Sequence, residues 1–197
     1  MSQVYDRVAL IGLGLIASSI FWASKRNDVS SYFTGFSRSK ETRDIAKKIG
    51  LCDKVFDTVE EAVKDADLVI LCVPVGAMEQ VMLEIAPFLK TGSTISDVGS
   101  VKRAVIDAVE PHLPPDVKFV PAHPLAGTEH SGPKSGFASL FDNRWCLLTD
   151  HGSADKEAQN KLTIFWKSLG ANVEFMDADH HDLVLAVTSH APHLIAY

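Results

Sequence analysis

Residues 7–20 read RVALIGLGLIASSI. Four apolar residues, Val8 to Ile11, run into Gly12, Leu13 and Gly14, and small and apolar residues at helical spacing follow. This is a strand, a tight turn and a helix start. Gly12 permits the sharp bend, Gly14 lets the backbone approach a pyrophosphate, and Ala17 stands where a small residue allows the helix to pack on the strand. The anion would rest on the free N–H groups of the first helical turn, at Leu15 and Ile16. The same run, preceded by Arg7, has the length of a signal or membrane segment, but its two central glycines and the flanking Asp6 and Lys25-Arg26 speak against that.

Working outward, the chain alternates strand and helix patterns. Tyr32–Phe36 reads as a second parallel strand and Lys40–Ile49 as a helix closed by Gly50. Leu68–Val73 is a continuous apolar run, the pattern of a strand buried on both faces. Val73 and Pro74 stand at its carboxyl end, where open α/β sheets bind ligands. Further strands are expected at Thr94–Ser96, Phe119–Val120, Trp145–Thr149 and Val173–Phe175. Helices are expected at 78–89, from about Lys102 to Val109, and at 156–169. The expected fold is a doubly wound, mainly parallel α/β sheet over residues 1–176. Residues 177–197 would open a second, helical domain with Asp177 or Asp179 as its cap, and Pro192 would kink that helix near Thr188 or Ser189. Ending at Tyr197 in mid-pattern, the chain reads as truncated there.

The 197 residues are 46% hydrophobic and carry a net charge of −6. Enough apolar surface is present for one good core, and no basic field exists for a nucleic-acid backbone or an anionic membrane. Three widely spaced cysteines without a CxxC pair point to a reducing, cytoplasmic setting.

After the second strand come Ser37, Arg38, Ser39 and Lys40, with no acid between Val29 and Lys40. An enzyme using NAD usually places Asp or Glu there for the ribose 2′-hydroxyl, whereas a 2′-phosphate wants cations and hydroxyls. The reading is NADP, with NAD possible; the alternative is that Arg38 and Lys40 are solvated loop residues.

The stretch His123–Gly136 (HPLAGTEHSGPKSG) has neither helical nor strand period and follows a strand. A loop there is a common place for chemistry. Histidine titrates near neutrality, so His123 fits a general base that takes the proton of a hydroxyl while hydride leaves, or else a structural histidine bonded to the backbone. Ser100 would bond the substrate hydroxyl or the nicotinamide carboxamide, cap the following helix, or both. Glu129 would balance charge near the histidines or face water. The histidines at 180, 181, 190 and 193 lack a metal-ligand spacing, and no metal is expected.

Four motifs, GLGLIASS, DVGSVK (97–102), HPLAGTEHSGP (123–133) and SHAPH (189–193), resemble prephenate and arogenate dehydrogenases in order and spacing. That resemblance implies NAD(P)-dependent oxidation of a cyclohexadienol ring with loss of carbon dioxide, on the route to tyrosine. It implies His123 as the base, Ser100 as the bridge between ring hydroxyl and nicotinamide, and Thr128, Glu129, Ser189, His190 and His193 as lining of the substrate pocket. It also implies a homodimer, formed through a helical domain of roughly another hundred residues that supplies an arginine for the substrate carboxylate, a size ordinary for a domain.

Overall fold

The structure is a computed structural model that describes residues 3–150 and 155–190, with the side chains of 189 and 190 left aside. Six parallel strands form the main sheet: β1 (Arg7–Ile11), β2 (Tyr32–Phe36), β3 (Lys54–Val55), β4 (Leu68–Leu71), β5 (Thr94–Asp97) and β6 (Lys118–Phe119). Their order, 3-2-1-4-5-6, places the switch of direction between β1 and β4. A crevice opens outside the carboxyl ends at that point. Helices α1 (Leu15–Asn27), α2 (Lys40–Ile49), α3 (Val59–Val63), α4 (Met78–Ile85) and α5 (Lys102–Val109) make the crossovers. Expected and observed ends coincide for β2 and α2, where Ser39 accepts from Thr42 N–H and Gly50 adopts φ +69°. By contrast α4 stops at Ile85, short of the expected Leu89, because Pro87 tightens the last turn into a 3-10 turn, Ala86–Phe88.

Side-chain alternation along β1 divides the core. Val8 and Leu10 point to one face, with Phe33, Phe165 and Trp166; Ala9 and Ile11 point to the other, with Met78, Met82 and Val105. All four strand residues are at most 1% exposed, as a sheet covered on both faces requires.

The expectation of a single sheet fails after Phe119. Val120 N–H still donates to Ile95 O (3.0 Å), but Pro121 has no N–H, and its carbonyl accepts instead from Thr149 N–H (3.0 Å). The chain thereby leaves the first sheet and enters a second, in which β7 (Ala122–Pro124) pairs antiparallel with β8 (Trp145–Asp150), and β8 pairs parallel with β9 (Asn172–Asp177). Helix α6 (Lys156–Ser168) connects β8 to β9. Then α7 (Ala178–Leu185) begins, capped by Asp177, which accepts from Asp179 and His180 N–H. A π-helical turn, Ala186–His190, follows it and includes Thr188 and Ser189, near which the kink is expected. Pro192 itself lies outside the described residues.

Candidate active site

At the crevice Gly12 adopts φ +97°, and a Cβ there would stand 2.5 Å from Cys72 O. Its N–H donates to Phe36 O (2.8 Å), so the turn is fastened to β2 and pressed against the end of β4. Gly14 is the N-cap of α1, and a Cβ on it would meet nothing within 4 Å. Neither a capping side chain nor an acidic residue occupies the first turn of α1. Unspent N–H groups beside open space make a seat for an anion. A cavity of about 400 Å³ extends from this seat, lined by Gly12, Gly14, Ser37, Arg38, Val73 and Pro74 among others. These residues fit a dinucleotide, with the pyrophosphate on the turn. Leu15 and Ile16 open the helix beside the cavity without lining it. Ser39 lines it, although its hydroxyl is already the N-cap of α2. Arg43 holds the rim, donating to Ser37 O (2.7 Å) and Arg38 O (3.1 Å) while pairing with Asp57 (3.1 Å).

His123 lies within β7, not in a loop as expected, and is 9% exposed. Its Nδ1 is 3.0 Å from Nε2 of His181, and Nδ1 of His181 is 2.8 Å from Asp182 Oδ1. Asp182 in turn accepts from Lys102 N–H (2.7 Å) and Arg103 N–H (2.9 Å). Although burial opposes its ionisation, these N–H donors and His181 keep the Asp182 carboxyl below the usual carboxylate range. Burial lowers the pKa of His181, against the raising pull of Asp182. A neutral His181 facing a carboxylate carries its proton on Nδ1 and presents a lone pair at Nε2. His123 therefore donates from Nδ1, and its Nε2 is the basic nitrogen. Nothing in the sequence except the adjacency of His181 and Asp182 signals this chain of three.

Lys102 and Asp97 form an ion pair at 0% exposure. Asp97 also accepts from Gly99 N–H (2.7 Å) and Ala122 N–H (3.1 Å), and Lys102 Nζ donates to Ala122 O (2.6 Å). Together they tie the loop carrying Ser100 to the strand carrying His123. Ser100 is exposed in that loop and does not cap α5. The N-cap position belongs to Val101, and Asp182 of α7 serves the first N–H groups. Thr128 lines a second cavity of about 300 Å³ with Gly127, Ser139 and Arg144, and its hydroxyl accepts from His130 N–H (3.2 Å). Glu129 is exposed and pairs with His130 at 3.3 Å. Ser189 and His190 sit in the π-helical turn, one element beyond His181, and His193 lies outside the described residues. Among the described residues no cluster of three or more His, Cys, Asp or Glu could hold a metal, and no helix is long and apolar enough to cross a membrane.

The lowered pKa of His181 has a consequence for stability. Its folded value lies below the unfolded value of about 6.5, so its contribution is full above that pH and is lost as pH falls through the folded value. Thermal unfolding followed from pH 7 to pH 5 is expected to shift to lower temperature, and His181→Gln to flatten that shift. An unchanged slope in the variant would show that His181 is not the group being protonated.

Residues 22–175 match the family described as "Prephenate dehydrogenase, nucleotide-binding domain". The chain is 44% identical over 194 residues to the cyclohexadienyl dehydrogenase of Zymomonas mobilis, covering 98% of this chain and 66% of that protein. It is 36% identical to the prephenate dehydrogenase of Bacillus subtilis, covering 100% of this chain and 53% of the relative. The crystal structure of prephenate dehydrogenase from A. aeolicus in complex with hydroxyphenyl propionate and NAD+ superposes with a TM-score of 0.90 at 28% identity, over 100% of this chain and 68% of that one. The chain thus spans about half to two thirds of the length of these curated relatives. With its glycine turn, its doubly wound sheet and the match over 22–175, the chain belongs to the prephenate dehydrogenase family.

Proposed function

We propose that this chain carries the cofactor-binding and catalytic groups of an oxidoreductase of tyrosine biosynthesis. It would oxidise prephenate to 4-hydroxyphenylpyruvate, or arogenate to tyrosine, with NADP+ preferred to NAD+. The observation that carries the reading is the His123–His181–Asp182 chain, set beside a glycine turn that can seat a dinucleotide.

A bound nicotinamide would accept the hydride leaving the ring carbinol carbon. The chemistry left to the protein is positioning and proton removal. His123 Nε2 takes the proton of the ring hydroxyl as carbonyl character grows there. His181 accepts the hydrogen bond from Nδ1 of the resulting imidazolium, and Asp182 fixes the tautomer of His181. Loss of the ring carboxylate as carbon dioxide returns its bonding pair to the ring, and the His123 imidazolium gives the proton back to the ring oxygen, which leaves a phenol. Ser100 is assigned to orient the hydroxyl, and Thr128, Glu129, Ser189, His190 and His193 to line the substrate pocket. Residues 1–176 would form the dinucleotide-binding domain and 177–197 the first part of a helical domain through which two copies pair. The setting proposed is cytoplasmic, with no nucleic-acid or membrane partner.

The test follows dinucleotide reduction with prephenate and arogenate as separate substrates and NADP+ and NAD+ as separate oxidants. Reduction dependent on either substrate supports the reading; bound dinucleotide without reduction in any arm refutes it. Arg38 carries the cofactor preference: it lines the cavity, among the described residues its guanidinium has no carboxylate partner, and no acid stands beside it in its loop. Arg38→Asp should weaken NADP+ about tenfold or more, the scale of one charge-assisted hydrogen bond, and leave NAD+ as tight or tighter. Equal losses for both would remove Arg38 from the 2′-phosphate.

A further inference from the structure

The second half of the histidine-containing loop lies at the dinucleotide cavity and not only with the substrate residues. Gly132, at φ +87°, is one of the residues lining that cavity. The 3-10 turn after it, Pro133–Ser135, lies against both α1 and α2. Gly136 then presses on α1: a Cβ on it would stand 2.2 Å from Ser18 Cβ and 2.8 Å from Ser19 N. Phe137 N–H donates to Ser19 Oγ (3.2 Å), and the same hydroxyl donates to Leu15 O (2.8 Å) in the first turn of α1. Ser135 Oγ closes the segment on itself through Ser131 O (2.7 Å). The sequence SGPKSG is therefore a strap, nailed to the helix whose amino end seats the anion and reaching the helix that follows Arg38.

Lys134 is exposed on this strap, and among the described residues it forms no ion pair. We propose that residues 131–136 are the outer wall of the cofactor site and that Lys134 is a second cation, beside Arg38, for the 2′-phosphate of the adenosine ribose. This rests on the NADP reading above and names a residue outside the usual strand-end loop. It also links the cofactor rim, through one short covalent segment, to Thr128 and Glu129.

The test is equilibrium titration of the 197-residue chain with NADP+ and with NAD+. Lys134→Ala, a surface change expected to leave folding intact, should weaken NADP+ about fivefold and move NAD+ less than twofold, and Lys134→Arg should restore the difference. A wild-type preference for NADP+ left intact by Lys134→Ala overturns the proposal about the strap alone. A wild-type chain that binds both dinucleotides equally overturns the NADP reading on which it rests. As a second readout, NADP+ should slow amide hydrogen exchange across 131–136; exchange unchanged by bound NADP+ counts against the wall itself.

Discussion

His123→Asn is expected to slow substrate-dependent dinucleotide reduction by about 10²–10⁴-fold, the usual contribution of a positioned general base. Dinucleotide affinity should stay near wild type. The separation follows from geometry: His123 sits in β7 of the second sheet, whereas the glycine turn and the cavity rim belong to β1, β2 and β4. An amide at this position keeps a donor toward His181 Nε2, so the hydrogen bond at 3.0 Å can persist while the base is lost. The measurement is pre-steady-state formation of reduced nicotinamide at saturating substrate, beside a dinucleotide titration of each protein. A rate within threefold of wild type would show that His123 is one of the structural histidines that the sequence also allows.

Removing one member of the buried ion pair is the second large effect. Lys102→Met leaves the Asp97 carboxylate at 0% exposure with only the N–H groups of Gly99 and Ala122. Breaking such a pair costs about 3–5 kcal/mol, because the remaining charge has lost its counterion without regaining water. Burial already depresses the Lys102 pKa and Asp97 opposes that, so the two charges are stable only together. The double change Asp97→Asn with Lys102→Met should recover at least about 1 kcal/mol relative to Lys102→Met alone, since no unpaired charge is left. Urea unfolding of the wild type, Asp97→Asn, Lys102→Met and the double variant checks both figures. Additive losses in the double variant would mean that the two side chains act independently.

The sequence is most legible where a backbone conformation demands a residue type. Gly12 and Gly14 announce the turn, Ser39 and Gly50 bracket α2, and Asp177 caps α7, each by a local rule that needs no tertiary information. The second sheet is less legible because its origin is a negative property of one residue. Pro121 has no N–H to continue the first ladder, and whether its carbonyl then joins another strand depends on Thr149, far along the chain. His123 is recognisable as a candidate from its glycine-rich context, but its tautomer is decided by His181 and Asp182, which arrive on α7. The cap of α5 is illegible for the same reason: Ser100 has the right chemistry and an adjacent position, yet Asp182 from α7 serves the N–H groups. Long-range partners supply what local patterns cannot encode.

The proposed base, His123 on β7, and the dinucleotide seat at Gly12 lie in one chain. The most direct measurement is a single-turnover reaction of the 197-residue chain, saturated with NADP+ and mixed with excess prephenate or arogenate, followed by the absorbance of reduced nicotinamide. Reduced nicotinamide forming with one of the two substrates, and not forming when His123→Asn replaces the wild type, is the predicted result. Tight NADP+ binding with no reduction by either substrate, or reduction that survives His123→Asn, would contradict it.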